Sequence, residues 1–534
     1  MMSQSDHLDP SDGAAAAVPD AAPDPVTPDP AILESASGCH GGKETLEAAA
    51  KAAGKSEVLA RLATDYPKGP HDQPQSMCPA FGSLRVGLRM RRTATILSGS
   101  ACCVYGLTFT SHFYGARRTV GYVPFSSETL VTGQLFEDIR DAVHEMADPA
   151  DYDAVVVINL CVPTASGVPL DLLPDEINGV RVIGIDVPGF GVPTHAEAKD
   201  VLAGAMLGFA RREAEAGPVA RPRGERPERP SVALIGELFP ADPVGVASLL
   251  DPMGLTVAPQ VPSREWRDLY AALDSVVAAA VHPFYTASVR EFERAGRPVV
   301  GSGPVGLDGT AAWLDAVAES AGVSDTARDD AKAKALPAIR AALDANPLDA
   351  TVTVSGYEGS ELLVARVLAE AGARVPYVGT ACPRTAWSEA DRQWLEARGT
   401  HVQYRAALEQ DVAAMREVRP DLAIGTTPLV QTAKEEGVPA IYFTNMVSAR
   451  PLFGAAGVAA LTAIVRTQIA GGERYSRMVD FFDTVGTGKS AGYGWNHRPG
   501  PDPLARPKKA GQAAEPAADP DADRVVPGST ALEG

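Results

Sequence analysis

The chain reads as an α/β protein of three tandem domains with parallel sheets, flanked by two disordered termini. Three observations predict this. Short apolar runs such as Ala154–Leu160 have the composition of strands buried on both faces. Such runs alternate with longer stretches of helical spacing, and strands alternating with helices demand parallel sheets. One segment, 217–230, holds four prolines and four arginines and interrupts the alternation as a solvated linker.

Each segment follows in order. Residues 1–75 form a disordered leader with one Ala-rich helix over Glu44–Thr64. Pro10, Pro19, Pro23, Pro25, Pro28 and Pro30 are interleaved there with Ala and Asp, so residues 1–43 offer almost nothing from which to build a core. Domain I spans 76–216, with strands at Thr93–Leu97, Ala154–Leu160 and Val180–Asp186 and a helix over Ala196–Glu215. After the linker 217–230, domain II spans 231–345. It opens with the strand Ser231–Gly236, includes the short strand Arg297–Val300 and closes on a polar helix near 325–345. Domain III, 346–485, holds strands at Ala350–Gly356, Arg374–Val378 and Asp421–Gly425. A flexible tail, 486–534, is rich in Gly, Pro, Ala and Asp.

Composition narrows the function. Across 534 residues, 67 acidic side chains outweigh 48 Lys and Arg, for a net charge of −19, which argues against a nucleic-acid partner. The apolar runs fall short of the ~20 residues a membrane span needs. Six cysteines and no signal peptide exclude a disulfide scaffold and point to a cytoplasmic protein with reduced thiols.

The cysteines carry the chemistry. Cys39 lies in the leader beside His40. Cys78 sits in the loop Ser76–Pro79, Cys102 and Cys103 in a Gly-rich turn spanning Gly99–Gly106, and Cys161 at the end of a strand. Any one of them alone reads as a small buried apolar residue. Together, three contexts put thiols in loops or at the carboxyl mouths of strands, where open α/β sheets place ligand sites. Soft thiolates suit an iron–sulfur cluster or zinc. No C-x-x-C pair is present, which argues against a self-contained zinc ribbon or ferredoxin site. Three thiolates leave a four-coordinate site one ligand short, and a second subunit would supply it.

Over residues 76–480 this arrangement resembles the nitrogenase-like family of two-subunit reductases. Their α-type chains carry three Rossmann-like domains, with three cluster-binding cysteines in the first. The resemblance implies a nitrogenase component 1-like fold. It also implies that Cys78, Cys103 and Cys161, with gaps of 25 and 58 residues, hold a [4Fe–4S] cluster shared with the partner subunit. Cys103 is preferred to Cys102 because it adjoins Val104-Tyr105-Gly106. Two departures exclude an iron–molybdenum cofactor. Within Val281–Tyr285, Pro283 stands where a cofactor cysteine would be, and Tyr442–Met446 offers no histidine. Nitrogen fixation is therefore disfavoured, which leaves that volume to an organic substrate.

Met77–Gly82, Gly99–Tyr114, Gly121–Leu130, Asn159–Gly167 and the linker are most similar to the chlorophyllide a reductase branch. That likeness implies a heterotetramer with a paired Z-type β subunit and transient docking of an X-type iron protein. The iron protein, not this chain, uses ATP-Mg. Electrons then reduce the ring-B C7=C8 bond of chlorophyllide a. His112, His195 and His282 are candidate proton donors or pigment contacts, each set against the plainer reading of a structural histidine. Glu128 reads as a helix-start or interface residue. The alternatives are a ring-D protochlorophyllide reductase subunit and a non-catalytic scaffold that assembles a metal cofactor. A scaffold should carry cofactor ligands in domains II or III, where only Cys382 stands, and that thiol reads as structural.

Two further motifs mislead. Gly301–Gly306 fits G-x-G-x-x-G, but it lies late in its domain, Pro304 stiffens it, and Asp308-Gly309 is expected to delay the helix. Asp483–Ser490 resembles a P-loop that has lost its first glycine. Neither is expected to bind a nucleotide.

Overall fold

A computed structural model describes residues 78–113, 120–217, 228–475 and 477. The expected helix Glu44–Thr64, residues 218–227 of the linker, the P-loop-like Asp483–Ser490 and the tail lie outside the described residues.

The first sheet is ordered β2-β1-β3-β5-β4. Its strands are β1 (Thr93–Ser98), β2 (Val120–Val123), β3 (Ala154–Asn159), β4 (Glu176–Ile177) and β5 (Val180–Asp186). All neighbours are parallel except β4 with β5. All six residues of β1 and of β3 are buried. Their alternation supplies two faces: Val155 and Val157 pack with Ile139 and Val143, while Val156 and Ile158 pack with Leu84, Leu202 and Met206. Each such side chain contributes roughly 1.5–3 kcal/mol of burial.

The helices of this unit are α1 (Ala80–Arg89), α2 (Ala101–Phe113), α3 (Cys161–Ala165) and α4 (His195–Ala216). Thr194 caps α4, its hydroxyl accepting from the Glu197 N–H at 3.2 Å. One expectation is corrected here. Cys102 and Cys103 do not lie in a turn; only Gly99-Ser100 bends, and both cysteines occupy the first turn of α2.

The second sheet runs β7-β6-β8-β9, from β6 (Ser231–Leu234), β7 (Thr256–Val257), β8 (Val277–Ala280) and β9 (Val299–Gly301). Its helices include α5 (Thr286–Arg294), α6 (Gly306–Ala321) and α7 (Asp325–Ala345). The third sheet runs β12-β11-β10-β13-β14, from β10 (Thr351–Gly356), β11 (Arg374–Thr380), β12 (His401–Tyr404), β13 (Leu422–Gly425) and β14 (Ala440–Tyr442). Around it lie α8 (Glu361–Glu370), α9 (Glu389–Glu396) and α10 (Gly454–Ala470). Both sheets are wholly parallel. They share one apolar core that joins Val232 and Ala279 to Trp313, Val354, Phe453 and Leu461.

Helix α4 ties the first sheet to the second by lying against α5. A Cβ on Gly204 would come 2.7 Å from that of Ala287, so only glycine permits this approach. Asp200 fixes the contact, accepting from the backbone N–H groups of Ala287 and Ser288 at 2.6 and 2.9 Å and thereby capping α5.

The G-x-G-x-x-G loop shows a second difference. Helix α6 begins at Gly306, so Asp308-Gly309 does not delay it. Its first-turn N–H groups are nevertheless taken: Leu307 and Asp308 both donate to the carboxylate of Glu370. A side chain of this protein sits where a dinucleotide fingerprint needs pyrophosphate.

Candidate functional site

Strands β1 and β3 are parallel neighbours, with Ser98 opposite Asn159, so the residues that follow them emerge side by side at the carboxyl edge. Cys103 follows β1 and Cys161 follows β3. Helix α1 precedes β1 and packs back along it. Ten residues at 1.5 Å each carry its start about 15 Å from the amino end of the strand, returning Cys78 to the same edge. Cys78 and Cys103 thus stand at the positive ends of two helices, α1 and α2, which favour anionic sulfur.

The thiols at this edge lie within one another's fields. The Cys103 thiol is pushed up to about 11, mainly by desolvation, then by Cys102, and also by the charges of Cys78 and Cys161. Desolvation raises Cys78 as well, its Ala80 backbone hydrogen bond opposes this, and Cys161 adds to the rise. The Cys102 thiol is instead lowered, first by its hydrogen bond with Ser100 at 3.0 Å. A hydrogen bond between the adjacent Cys102 and Cys103 thiols adds to this lowering, so the two side chains lie together. The Gly189 N–H donates to Cys161 Sγ at 3.1 Å. Among the described residues, no three Cys, His, Asp or Glu side chains close around a single metal ion. A cluster spreads its thiolates wider than one ion does, since each iron takes one. Thiols gathered at one edge become stable thiolates when cationic iron lies among them, and this donor set fits such a group.

The surface beside these cysteines is apolar. Tyr105 and Phe109, one turn apart on α2, stack with ring centroids 6.3 Å apart and are 74% and 63% exposed. Val162 and Tyr122 are exposed as well.

A polar junction lies further along α1. Lys199, buried on α4, reaches Glu237 at 2.5 Å and Glu358 at 3.3 Å. Glu237 follows β6 and also meets Arg85 of α1 at 2.6 Å. Glu358 follows β10 and accepts from the Thr444 hydroxyl at 3.1 Å. The Tyr357 and Tyr442 hydroxyls are 2.7 Å apart. Two predicted histidines sit here. The His195 ring meets Phe81 and Tyr357 edge-on at 5.5 and 5.4 Å. His282 accepts the Glu237 N–H on Nδ1 at 3.2 Å, which leaves its proton on Nε2. The side chain of His112, on α2, lies outside the described residues. Cys382 is fully buried, its thiol near the Tyr357 carbonyl, and joins neither cluster of groups.

Burial, reinforced by Lys199, holds His282 down at about 4 from an ordinary 6.5. The imidazole is therefore neutral near pH 7. A depressed folded-state pKa gives stability that is fully present above about 6.5 and lost as pH falls toward 4. The span is worth up to roughly 3 kcal/mol. Urea melts from pH 7 to 4 should show this acid-side loss. It should flatten in His282→Asn, which keeps an acceptor for the Glu237 N–H; an unchanged slope would remove His282 as its source.

Sequence reading missed Arg85, Arg89, Lys199, Glu237 and Glu358. No local pattern marks them, although a lysine in the Ala-rich start of α4, where buried positions surround it, was the available sign.

Comparison with known proteins gives consistent matches. The profile of the family described as Nitrogenase component 1 type Oxidoreductase matches residues 78–469. The chain is 64% identical over 489 residues to the Chlorophyllide reductase 52.5 kDa chain of Cereibacter sphaeroides, covering 91% of this chain and 97% of that one. The Rhodobacter capsulatus chain of the same description is 63% identical over 468 residues, covering 88% and 94%. Among solved structures, one titled "Nitrogenase Cp1 at pH 6.5" superposes with a TM-score of 0.59 at 17% identity, covering 75% of this chain and 93% of that one, a likeness of fold.

Proposed function

The chain belongs to the nitrogenase component 1 type oxidoreductase family, and on that premise we propose that it is the Y-type, α-like subunit of a chlorophyllide a reductase. The observation that carries this is near-full-length identity of 64% to a chain described as a chlorophyllide reductase. In this reading, Cys78, Cys103 and Cys161 each hold one iron of a [4Fe–4S] cluster, and a paired Z-type chain supplies the fourth ligand. When bound, such a cluster supplies one-electron transfer at low potential. An X-type iron protein delivers the electrons and hydrolyses ATP-Mg. The ring-B C7=C8 bond of chlorophyllide a gains two electrons and two protons.

This chain's residues prepare that chemistry. The Gly189 N–H and the positive ends of α1 and α2 stabilise thiolate charge, which favours a reducible site. Tyr105, Phe109 and Val162 offer the Z-type subunit an apolar face, whose burial would exclude water from the cysteines. Of the candidate proton donors, His282 is buried and holds its proton on Nε2. His195 lies against α1, with its ring on Phe81, three residues beyond Cys78. Among the described residues, no helix is long and apolar enough to cross a membrane.

The test is reconstitution under anaerobic conditions with the Z-type chain, the X-type iron protein, ATP-Mg and dithionite. The expected result is ATP-dependent conversion of chlorophyllide a to the ring-B-reduced bacteriochlorin, read by its absorbance. Reduction of protochlorophyllide alone would replace this reading with ring D. Transfer of bound metal to another protein, without pigment reduction, would replace it with a scaffold.

A further inference from the structure

Each of the three candidate ligand sulfurs has a hydrogen-bonding partner beside it. The Gly189 N–H donates to Cys161 Sγ at 3.1 Å, and the Ala80 N–H, at the start of α1, donates to Cys78. Both donors are main-chain groups, present whatever side chains stand there. At Cys103 a side chain fills the place: its thiol is hydrogen-bonded to that of Cys102. Cys102 is not assigned to iron, yet its sulfur meets a sulfur that is.

Cys102 is also held from its other side. Ser100 stands just before α2, where its carbonyl accepts the Val104 N–H at 3.0 Å. Its hydroxyl lies 3.0 Å from Cys102 Sγ. Ser100, Cys102 and Cys103 therefore form one hydrogen-bonded row that ends on a ligand sulfur. Each thiol has a single proton to give. A cysteine bound to iron has lost its proton, so the bond between the two sulfurs then persists only with Cys102 as the donor. Cys102 has no second proton for Ser100, so the serine hydroxyl donates to it. The row has one consistent direction, from Ser100 through Cys102 to Cys103.

We propose that Cys102 is a positioning residue whose thiol donates a hydrogen bond to the iron-bound sulfur of Cys103 and so raises the reduction potential of the cluster. The inference rests on the cluster assignment above. Hydrogen bonds to ligand sulfur are among the features that set such a potential. One electron arriving from the X-type iron protein adds one negative charge to the iron and its sulfurs. An S–H dipole aimed at Cys103 therefore stabilises the reduced form more than the oxidised one. No bond is made or broken, and the proton stays on Cys102. The apolar side chains of Tyr105 and Phe109, covered by the partner subunit, would keep water from replacing this donor. A thiol is a weak donor, so the reduction equilibrium should gain about three- to tenfold, which is ~30–60 mV for a one-electron couple.

The experiment is a redox titration of the anaerobically purified two-subunit complex, following the reduced-state paramagnetic signal at one neutral pH. Cys102→Val removes the donor and fills its space, so that water does not take its place. Its midpoint potential should fall by the amount given, with iron content and subunit ratio as in wild type. Cys102→Ala, also without the donor, should fall as well and gives the reading if valine disturbs assembly. Cys102→Ser keeps a donor of similar size and should hold the potential at or above that of wild type. An unmoved potential in the valine and alanine variants overturns the proposal. An equal fall in Cys102→Ser also overturns it, since the effect would then come from packing rather than donation. Loss of iron from Cys102→Ser would make Cys102 a ligand and overturn it too. A wild-type complex without iron or signal would sink the cluster reading and the proposal together, whereas a normal cluster whose potential ignores the donor would sink the proposal alone.

Discussion

Cys78→Ser, Cys103→Ser and Cys161→Ser, each co-purified anaerobically with the Z-type partner, are expected to lose the four-iron, four-sulfide content and the reduced-state paramagnetic signal. Pigment reduction should fall at least about a hundredfold, beyond the cost of disturbing an outer-shell group. Serine is nearly the size of cysteine, so the change tests chemistry rather than packing. Its hard, weakly acidic oxygen is a poor ligand for iron that selects soft thiolate. Cys102→Ser and Cys382→Ser are the controls and should retain iron. Cys102 is occupied with Ser100 and with the neighbouring Cys103 thiol, and Cys382 is buried far along the chain in another sheet's core. Iron retained in all three ligand variants, or lost with Cys102→Ser and kept with Cys103→Ser, would overturn the assignment.

The cysteine edge was legible because its parts are local. A thiol just beyond an apolar run is visible in one stretch of sequence, and parallel strands bring such stretches to a common edge. The setting of Cys102 and Cys103 was misread because Gly99, Ser100 and Gly106 look like a turn. Burial of Val104 and Leu107 against the core carries the helix through Gly106 instead. The start of α6 was misread for the opposite reason. The carboxylate that stabilises Leu307 and Asp308 belongs to Glu370, more than sixty residues away, and no local pattern reports such a cap. The junction was invisible in the same sense. Arg85, Lys199, Glu237, His282 and Glu358 come from five separate elements, each of which reads alone as ordinary surface charge. What assembles them is the packing of α1 and α4 against the carboxyl ends of β6, β8 and β10.

The second large effect is expected on stability, at Asp391. This carboxylate is 0% exposed, and Arg366, its partner from α8, is 4% exposed. Their closest atoms are 2.5 Å apart, and the Ser302 hydroxyl donates to the same oxygen at 2.9 Å. The Arg366 guanidinium also lies 4.8 Å from the Trp394 ring centroid. The pair thus links α8 and α9 to the loop after β9, across the core that the second and third sheets share. Asp391→Ala would leave a buried, uncompensated guanidinium, and a cost of about 3–5 kcal/mol is expected in denaturant melts. A loss below about 1 kcal/mol would show that water reaches Arg366 and would sink the argument. The double variant Arg366→Met with Asp391→Leu separates two roles. Asp391 Oδ2 and Arg366 Nε have no partner, so the pair is incompletely satisfied. Desolvating it therefore offsets much of its attraction, and the apolar double variant should recover most of the loss. On that result the pair contributes the register of one sheet on the other rather than net stability. The G-x-G-x-x-G loop, with Gly301 against the Trp387 backbone and Gly303 against Phe453, is then the close-packed seam this register requires.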